Sequence, residues 1–112
     1  FKRANNILIA EEKKDGVSYE GTPEVKFAEE DAERELFAAL DANESKITAA
    51  IKDEDFASAM SALAALRGPI DAFFEGVQVN ADAQVVRRNR LCLLNRIRAT
   101  MGAVSDFTLI EG

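Results

Sequence analysis

Histidine and tryptophan are absent from this sequence, and cysteine occurs once, at Cys92. A lone cysteine rules out a disulfide within the chain, and without histidine a zinc site lacks its usual ligands. The same gap removes the commonest general base, and no glycine-rich phosphate loop or zinc-type motif is present to suggest chemistry of another kind. Only two prolines and six glycines occur, so little of the chain reads as linker. No run approaches the ~20 apolar residues of a membrane span, and no signal-peptide pattern opens it. These absences predict a non-catalytic, metal-free protein of the cytoplasm, with neither a membrane nor DNA as partner. The opening Phe1-Lys2-Arg3 carries no initiator methionine, from which we expect a single domain, residues 1–112, excised from the C-terminal part of a longer protein.

What is present is ordinary in amount and uneven in placement. The chain is 47% hydrophobic and 30% charged, enough for one core in 112 residues. The formal net charge of −6 opposes polyanion binding if taken alone. Residues 1–82, however, carry 9 basic and 18 acidic side chains, whereas residues 83–112 carry 5 and 2. Between Asp82 and Asp106 stand five arginines and no acid. The local field, rather than the total, decides where a polyanion docks.

Apolar spacing predicts helices throughout. Residues 1–14 read as a helix, and Asp15 to Pro23, with two glycines and a proline, as a loop. From about Glu24 to Lys52, Leu36, Leu40, Ile47 and Ile51 share one helical face, with the acids Glu29, Glu30, Asp31, Glu33 and Glu35 as a solvated run in its early turns. Phe56, Met60, Leu63 and Leu66 form the next stripe. Gly68-Pro69 should break or kink that helix, because proline lacks a backbone donor and crowds the preceding turn. Ile70, Phe73, Phe74 and Val77 continue after a restart at Pro69. Asp82 is a good N-cap for a last helix of about residues 83–105. No stretch alternates with period two over a useful length. The expected fold is all-α, an antiparallel helical bundle.

The last helix holds the candidate binding residues. At about 100° per residue, Leu91, Leu94, Ile97, Met101 and Val104 form its core stripe. Arg88, Asn89 and Arg96 project away from that stripe, and Arg87 and Arg98 flank it. Arg90 falls on the stripe itself. An unpaired guanidinium there would be very costly, so Arg90 either pairs with a carboxylate such as Asp71 or Asp106, or binds phosphate. Cys92, with arginine neighbours able to lower its pKa, reads as a small packing residue for want of a base. Arginine neutralises phosphate and stacks on bases, and asparagine amides read base edges. The helix is thus either an RNA-binding face or an ordinary solvated one. Lys2, Arg3, Asn5 and Asn6 offer a second patch with the same two readings. A bundle that docks a protein through Phe73 and Phe74 is the alternative from another class.

The run Ile70-Asp71-Ala72-Phe73-Phe74-Glu75-Gly76-Val77-Gln78-Val79-Asn80, followed by Arg87-Arg88-Asn89-Arg90-Leu91, resembles the C-terminal region of bacterial glycyl-tRNA synthetase beta subunits. Residues 94–98, the ending from Val104 to Ile110 and the opening Lys2-Arg3-Ala4-Asn5-Asn6-Ile7-Leu8 are similar to the rest of that signature. Gly68-Pro69 departs from it, where the family pattern allows an unbroken helix.

The resemblance implies a DALR-type anticodon-binding domain, shared in outline with arginyl-tRNA synthetases, whose own anticodon-binding domain is the nearer alternative. It implies no chemistry in this fragment and no cofactor of its own. The full synthetase would use ATP and magnesium, with an alpha subunit as partner and a glycine-accepting tRNA as substrate. Lys2, Arg3, Asn6, Arg87, Arg88, Asn89 and Arg96 are the expected tRNA contacts, and Arg90 with Asp71 the expected structural ion pair. Phosphates would bind arginine and lysine while unstacked anticodon bases meet asparagine and arginine.

Overall fold

The computed structural model describes the backbone of residues 2–79 and 81–111 and the side chains of residues 4–79 and 81–104. Among the described residues the regular elements are all helical: α1 (Lys2–Asp15), a short 3-10 turn (Val25–Phe27), α2 (Asp31–Lys52), α3 (Phe56–Gly76) and α4 (Gln84–Glu111). The expected all-α bundle is observed.

Two element boundaries differ from expectation. The long acidic segment does not begin a helix at Glu24; the chain makes its 3-10 turn first, and α2 starts at Asp31. The reason is a cap. Glu30 accepts from the backbone of Glu33 while the Glu33 carboxylate accepts from the Glu30 backbone, a reciprocal capping box. Glu29 and Glu30 therefore precede the helix instead of lying on its early turns. At the other site, α3 passes through Pro69 unbroken. Proline at 69 leaves the Ala65 carbonyl without its helical donor, but Ala65 and Gly68 are exposed, so water can serve that carbonyl. Ile70 and Phe73, directly beyond the proline, are buried in the core and hold the helix in register.

α2 and α3 form a hairpin across Asp53-Glu54-Asp55. Asp55 accepts from the Ser58 amide at 3.1 Å as the α3 N-cap. α4 returns parallel to α2: Arg90 reaches Glu33, Arg96 reaches Asp41 and Glu44, and Thr100 reaches Glu44. α1 packs across α4. The expected stripe of α4 is buried at Leu91, Leu94, Ile97 and Val104, and it is joined by Val86, Cys92 and Leu93. α4 is consequently enclosed on more than one side. Phe73, fully buried, meets Phe74 edge to face with 5.6 Å between centroids; both belong to the core or pack against it, so they do not form a docking face.

At the centre of the bundle lies a buried ion pair. Glu33 is 0% exposed and Arg90 5%. Arg90 Nη2 donates to Glu33 Oε1 at 2.8 Å, and Nη1 donates to the Gln78 carbonyl at 2.6 Å. The same Glu33 oxygen accepts from the Glu30 and Glu29 amides at 3.0 and 3.1 Å. The expected partner of Arg90 was Asp71; the observed one is Glu33, with Glu29 at 3.8 Å. Asp71 is exposed on α3, where no carboxylate can compensate a buried guanidinium. Asp106 lies outside the described side chains.

Desolvation is the largest influence on the Glu33 carboxyl and pushes its pKa up, yet Arg90 and the two amides together leave it below the ordinary value. Removing one member of a buried pair strands the other, at a cost of about 3–5 kcal/mol. Arg90→Ala and Glu33→Ala are each expected to lose that much in denaturant unfolding; an unaltered midpoint for either would contradict the pairing. A carboxyl with a depressed folded pKa contributes stability above its unfolded value of about 4.3, and loses it as pH falls through the folded value. Glu12, Asp15 and Asp55 are depressed as well. The melting temperature should therefore fall steeply below about pH 4 and change little on the acid side of neutrality above pH 5, as a series of thermal scans would show.

Candidate nucleic-acid interface

The arginines of α4 do not form one positive face. Arg87 Nη2 lies 2.7 Å from both Glu11 Oε2 and Asp15 Oδ2 on α1, and its Nη1 donates to the Tyr19 hydroxyl oxygen at 3.2 Å. The Tyr19 hydroxyl in turn donates to Asp15. That bond, and then Arg87, holds the Asp15 carboxyl below its usual range, and Arg87's own bonds, first to Asp15 and then to Tyr19 and Glu11, raise the Arg87 pKa. Arg96 grips α2 through Glu44 Oε1 at 2.6 Å and Asp41 Oδ1 at 2.6 Å. Arg98 donates to Glu12 at 3.2 Å and to Asn95 at 2.7 Å. With Arg90 bound to Glu33, four of the five guanidiniums serve as internal fasteners.

Asn89 also faces inward. Expected to reach solvent, it is 6% exposed and closes a two-way bond with the Glu24 backbone. Its Oδ1 accepts from the Glu24 amide at 2.7 Å, and its Nδ2 donates to the Glu24 carbonyl at 3.0 Å. It pins the loop ahead of α2 onto α4. The helical wheel missed this because a loop, rather than a helix, covers that side of α4.

Arg88 is different. It is exposed and, among the described residues, it is the one α4 arginine with no carboxylate partner. Its Nη2 lies across Gly21, 3.6 Å from where a Cβ would stand. Beside it Val85 is 55% exposed. The exposed Lys13 and Lys14 close α1, near the loop that Arg87 and Tyr19 hold against α4. Asn6 is exposed on α1 more than one turn before Glu11, and the side chains of Lys2 and Arg3 lie outside the described residues. The structure thus groups Arg87, Arg88 and Asn89 at one end of α4, with only Arg88 open to a ligand. Arg96 points to α2, about 12 Å further along the helix.

Two inward acids escaped the sequence reading, and both were visible as a period. Glu33 precedes Leu36, Phe37 and Leu40 by 3, 4 and 7 residues, and Glu11 follows Ala4 and Leu8 by 7 and 3. Each occupies a core position of its helix, where a carboxylate demands a cation.

Among the described residues no cluster of histidine, cysteine or carboxylates could hold a metal. Cys92 is buried, with its Sγ facing Gly21 at 3.8 Å from a notional Cβ. Desolvation raises its thiol pKa; the nearby Arg88 charge opposes this without reversing it. A disulfide reagent should label Cys92 markedly more slowly than it labels the unfolded chain, because the thiol is shielded and its pKa is raised. Labelling as fast as in the unfolded chain would contradict that burial.

Comparison with known proteins places the chain in a family. The DALR anticodon binding domain family matches residues 1–110. The chain is 64% identical over its 112 residues to the glycine--tRNA ligase beta subunit of Cereibacter sphaeroides. It is 60% and 55% identical to the like-named subunits of Ruegeria sp. and Paracoccus denitrificans, again over all of this chain. It spans 16% of the length of each of these relatives. No solved structure matches it.

Proposed function

Because the chain belongs to the DALR anticodon binding domain family, we propose that it holds the anticodon stem-loop of a tRNA, and that it does so as part of a glycine–tRNA ligase beta subunit. The observation that carries this reading is the coincidence of a whole-chain family match with one open guanidinium, Arg88, on an otherwise internally paired helix. The rest of the enzyme follows by proposal from the relatives' name: a glycine-accepting tRNA as substrate, an alpha subunit as partner, ATP and magnesium used elsewhere in the assembly, and a place in the cytoplasm. Among the described residues no helix is long and apolar enough to cross a membrane.

The fragment's own part is recognition. Arg88 supplies a planar donor fork to a phosphate of the loop. Lys2, Arg3 and Asn6, in the opening turns of α1, supply a second contact. Arg87 and Asn89 act indirectly, because they fix the surface on which Arg88 stands, and Arg96 serves by fastening α4 to α2. The surrounding carboxylates repel RNA that docks elsewhere, which narrows binding to this end.

Titrating the chain with a tRNA bearing a glycine anticodon, and with the same tRNA carrying another anticodon, tests the reading. Tighter binding of the first supports it, and equal or absent binding overturns it. Arg88→Ala should weaken binding and lower the slope of log affinity against log salt by about 0.7–0.9, with an unchanged melting curve. If fluorescence anisotropy gives the same slope for the variant, Arg88 is not a phosphate contact.

A further inference from the structure

Along one flank of the α2–α3 hairpin the two helices leave an open groove of about 480 Å³. Its floor is Asn43, Ala50 and Ala62, all buried, and the exposed Lys46, Ala49, Ser61 and Ala65 stand along its walls. On α2 the lining runs from residue 43 to residue 53, about 15 Å or three helical turns. α3 carries no charged residue from Phe56 to Leu66, so the charges at the groove are Lys46, Asp53 and Asp55. Asn43 lies ten residues beyond Glu33, about 15 Å further along α2, which sets the groove well away from Arg88. One group on its floor is unsatisfied. Asn43 is 8% exposed; its Nδ2 donates to the Ala39 carbonyl at 2.8 Å, and its Oδ1 has no partner among the described residues. Buried polar groups are nearly always paired. Water serves this oxygen while the groove is open, and an occupant that excludes water must bring a donor to it.

We propose that this groove seats one helix, about three turns long, from the remainder of the beta subunit, so that the hairpin fastens the domain to its own chain while the Arg88 end stays open. The inference rests on the beta-subunit reading. The chain spans 16% of the length of its relatives, so most of such a subunit lies outside it and can supply the helix. Small side chains let helix axes approach closely, and a lining of alanine mixed with serine and asparagine has the polarity of interfaces between domains of one chain. Three turns are little for a free partner, whose interface needs about 1,200–2,000 Å². A tethered segment arrives at an effective concentration of about 1 mM and needs less. Charge disfavours the other occupants. RNA would meet two acids against one lysine, and a second copy would bring a net charge of −6 against −6. The chemistry of the guest follows: small or apolar side chains facing Ala50 and Ala62, and a hydroxyl, amide or ammonium donor facing Asn43.

The test uses the full-length subunit that carries this chain. A photoreactive benzoylphenylalanine is introduced in place of Ala65 or, separately, of Ala49, both exposed on the groove walls. A control carries it in place of Asp71, exposed on another side of α3. Irradiation at 65 or 49 should give a product of single-chain mass, in which mass spectrometry finds the label joined to a helical peptide from outside these 112 residues; the control should give no such product. Ser61→Arg, a charge placed on the groove wall, should abolish the product from position 49. A product of doubled mass, a link to the alpha subunit or to added tRNA, or a yield no higher than the control overturns the proposal. So does a product that Ser61→Arg leaves unchanged. Either label position alone decides the matter, so a variant that fails to fold does not remove the test. Charging of a glycine-accepting tRNA by the same subunit with its alpha partner checks the reading beneath. If charging occurs without the link, only the groove assignment falls; if the assembled pair does not charge that tRNA, both fall.

Discussion

The Glu33–Arg90 pair is the constraint on which the rest of the molecule depends. A guanidinium sits on the apolar stripe of α4 and a carboxylate on the apolar stripe of α2, each fully or nearly removed from water. Neither is tolerable without the other. Their contact fixes the axial register of α4 against α2, since a shift by one turn would strand both charges. The pair also reaches two helix ends, the amides that precede α2 and the Gln78 carbonyl that follows α3. Glu33 Oε2 and Arg90 Nε lack hydrogen-bond partners among the described residues. The pair therefore selects one arrangement more than it adds net stability, in keeping with the modest return of buried ion pairs.

From this register follows the fate of the remaining arginines. Once α4 lies parallel to α2, Arg96 meets Asp41 and Glu44; once α1 lies across α4, Arg87 meets Glu11 and Asp15, and Arg98 meets Glu12. The strongly acidic first three-quarters of the chain and the basic last quarter are largely two halves of one internal network. The net effect is a last helix whose positive charge is largely spent on assembly, leaving Arg88 as the open guanidinium of α4. An open guanidinium on an acidic body discriminates by position, because RNA approaching elsewhere meets uncompensated carboxylates.

Much of the fold was legible from spacing: the helices and the α4 stripe from Leu91 to Val104 follow from period. The residues quoted for the family resemblance were likewise sufficient to reach the family. Less of the site was legible. A helical wheel assigns outward and inward sides relative to other helices, and it contains no information on the irregular 16–30 segment that covers α4 at Asn89 and Cys92. Nor does a single wheel say which carboxylate a guanidinium will meet: the spacing of Glu33 from Leu36, Phe37 and Leu40 marks it as inward on its own helix, but its pairing with Arg90 is set by packing. Arg88 was assigned outward and is outward; Asn89 was assigned outward and is held inward by Glu24. Pro69 shows the converse, a local signal for a break overridden by the burial of Ile70 and Phe73 on the far side.

The division of labour among the α4 arginines is the central claim, and side-chain NMR reads it directly. In the chain titrated with an anticodon stem-loop RNA, the Nε–Hε resonance of Arg88 should move with RNA concentration while those of Arg87, Arg90, Arg96 and Arg98 keep their positions. Movement of Arg87 or Arg96 with Arg88 unperturbed would contradict the account.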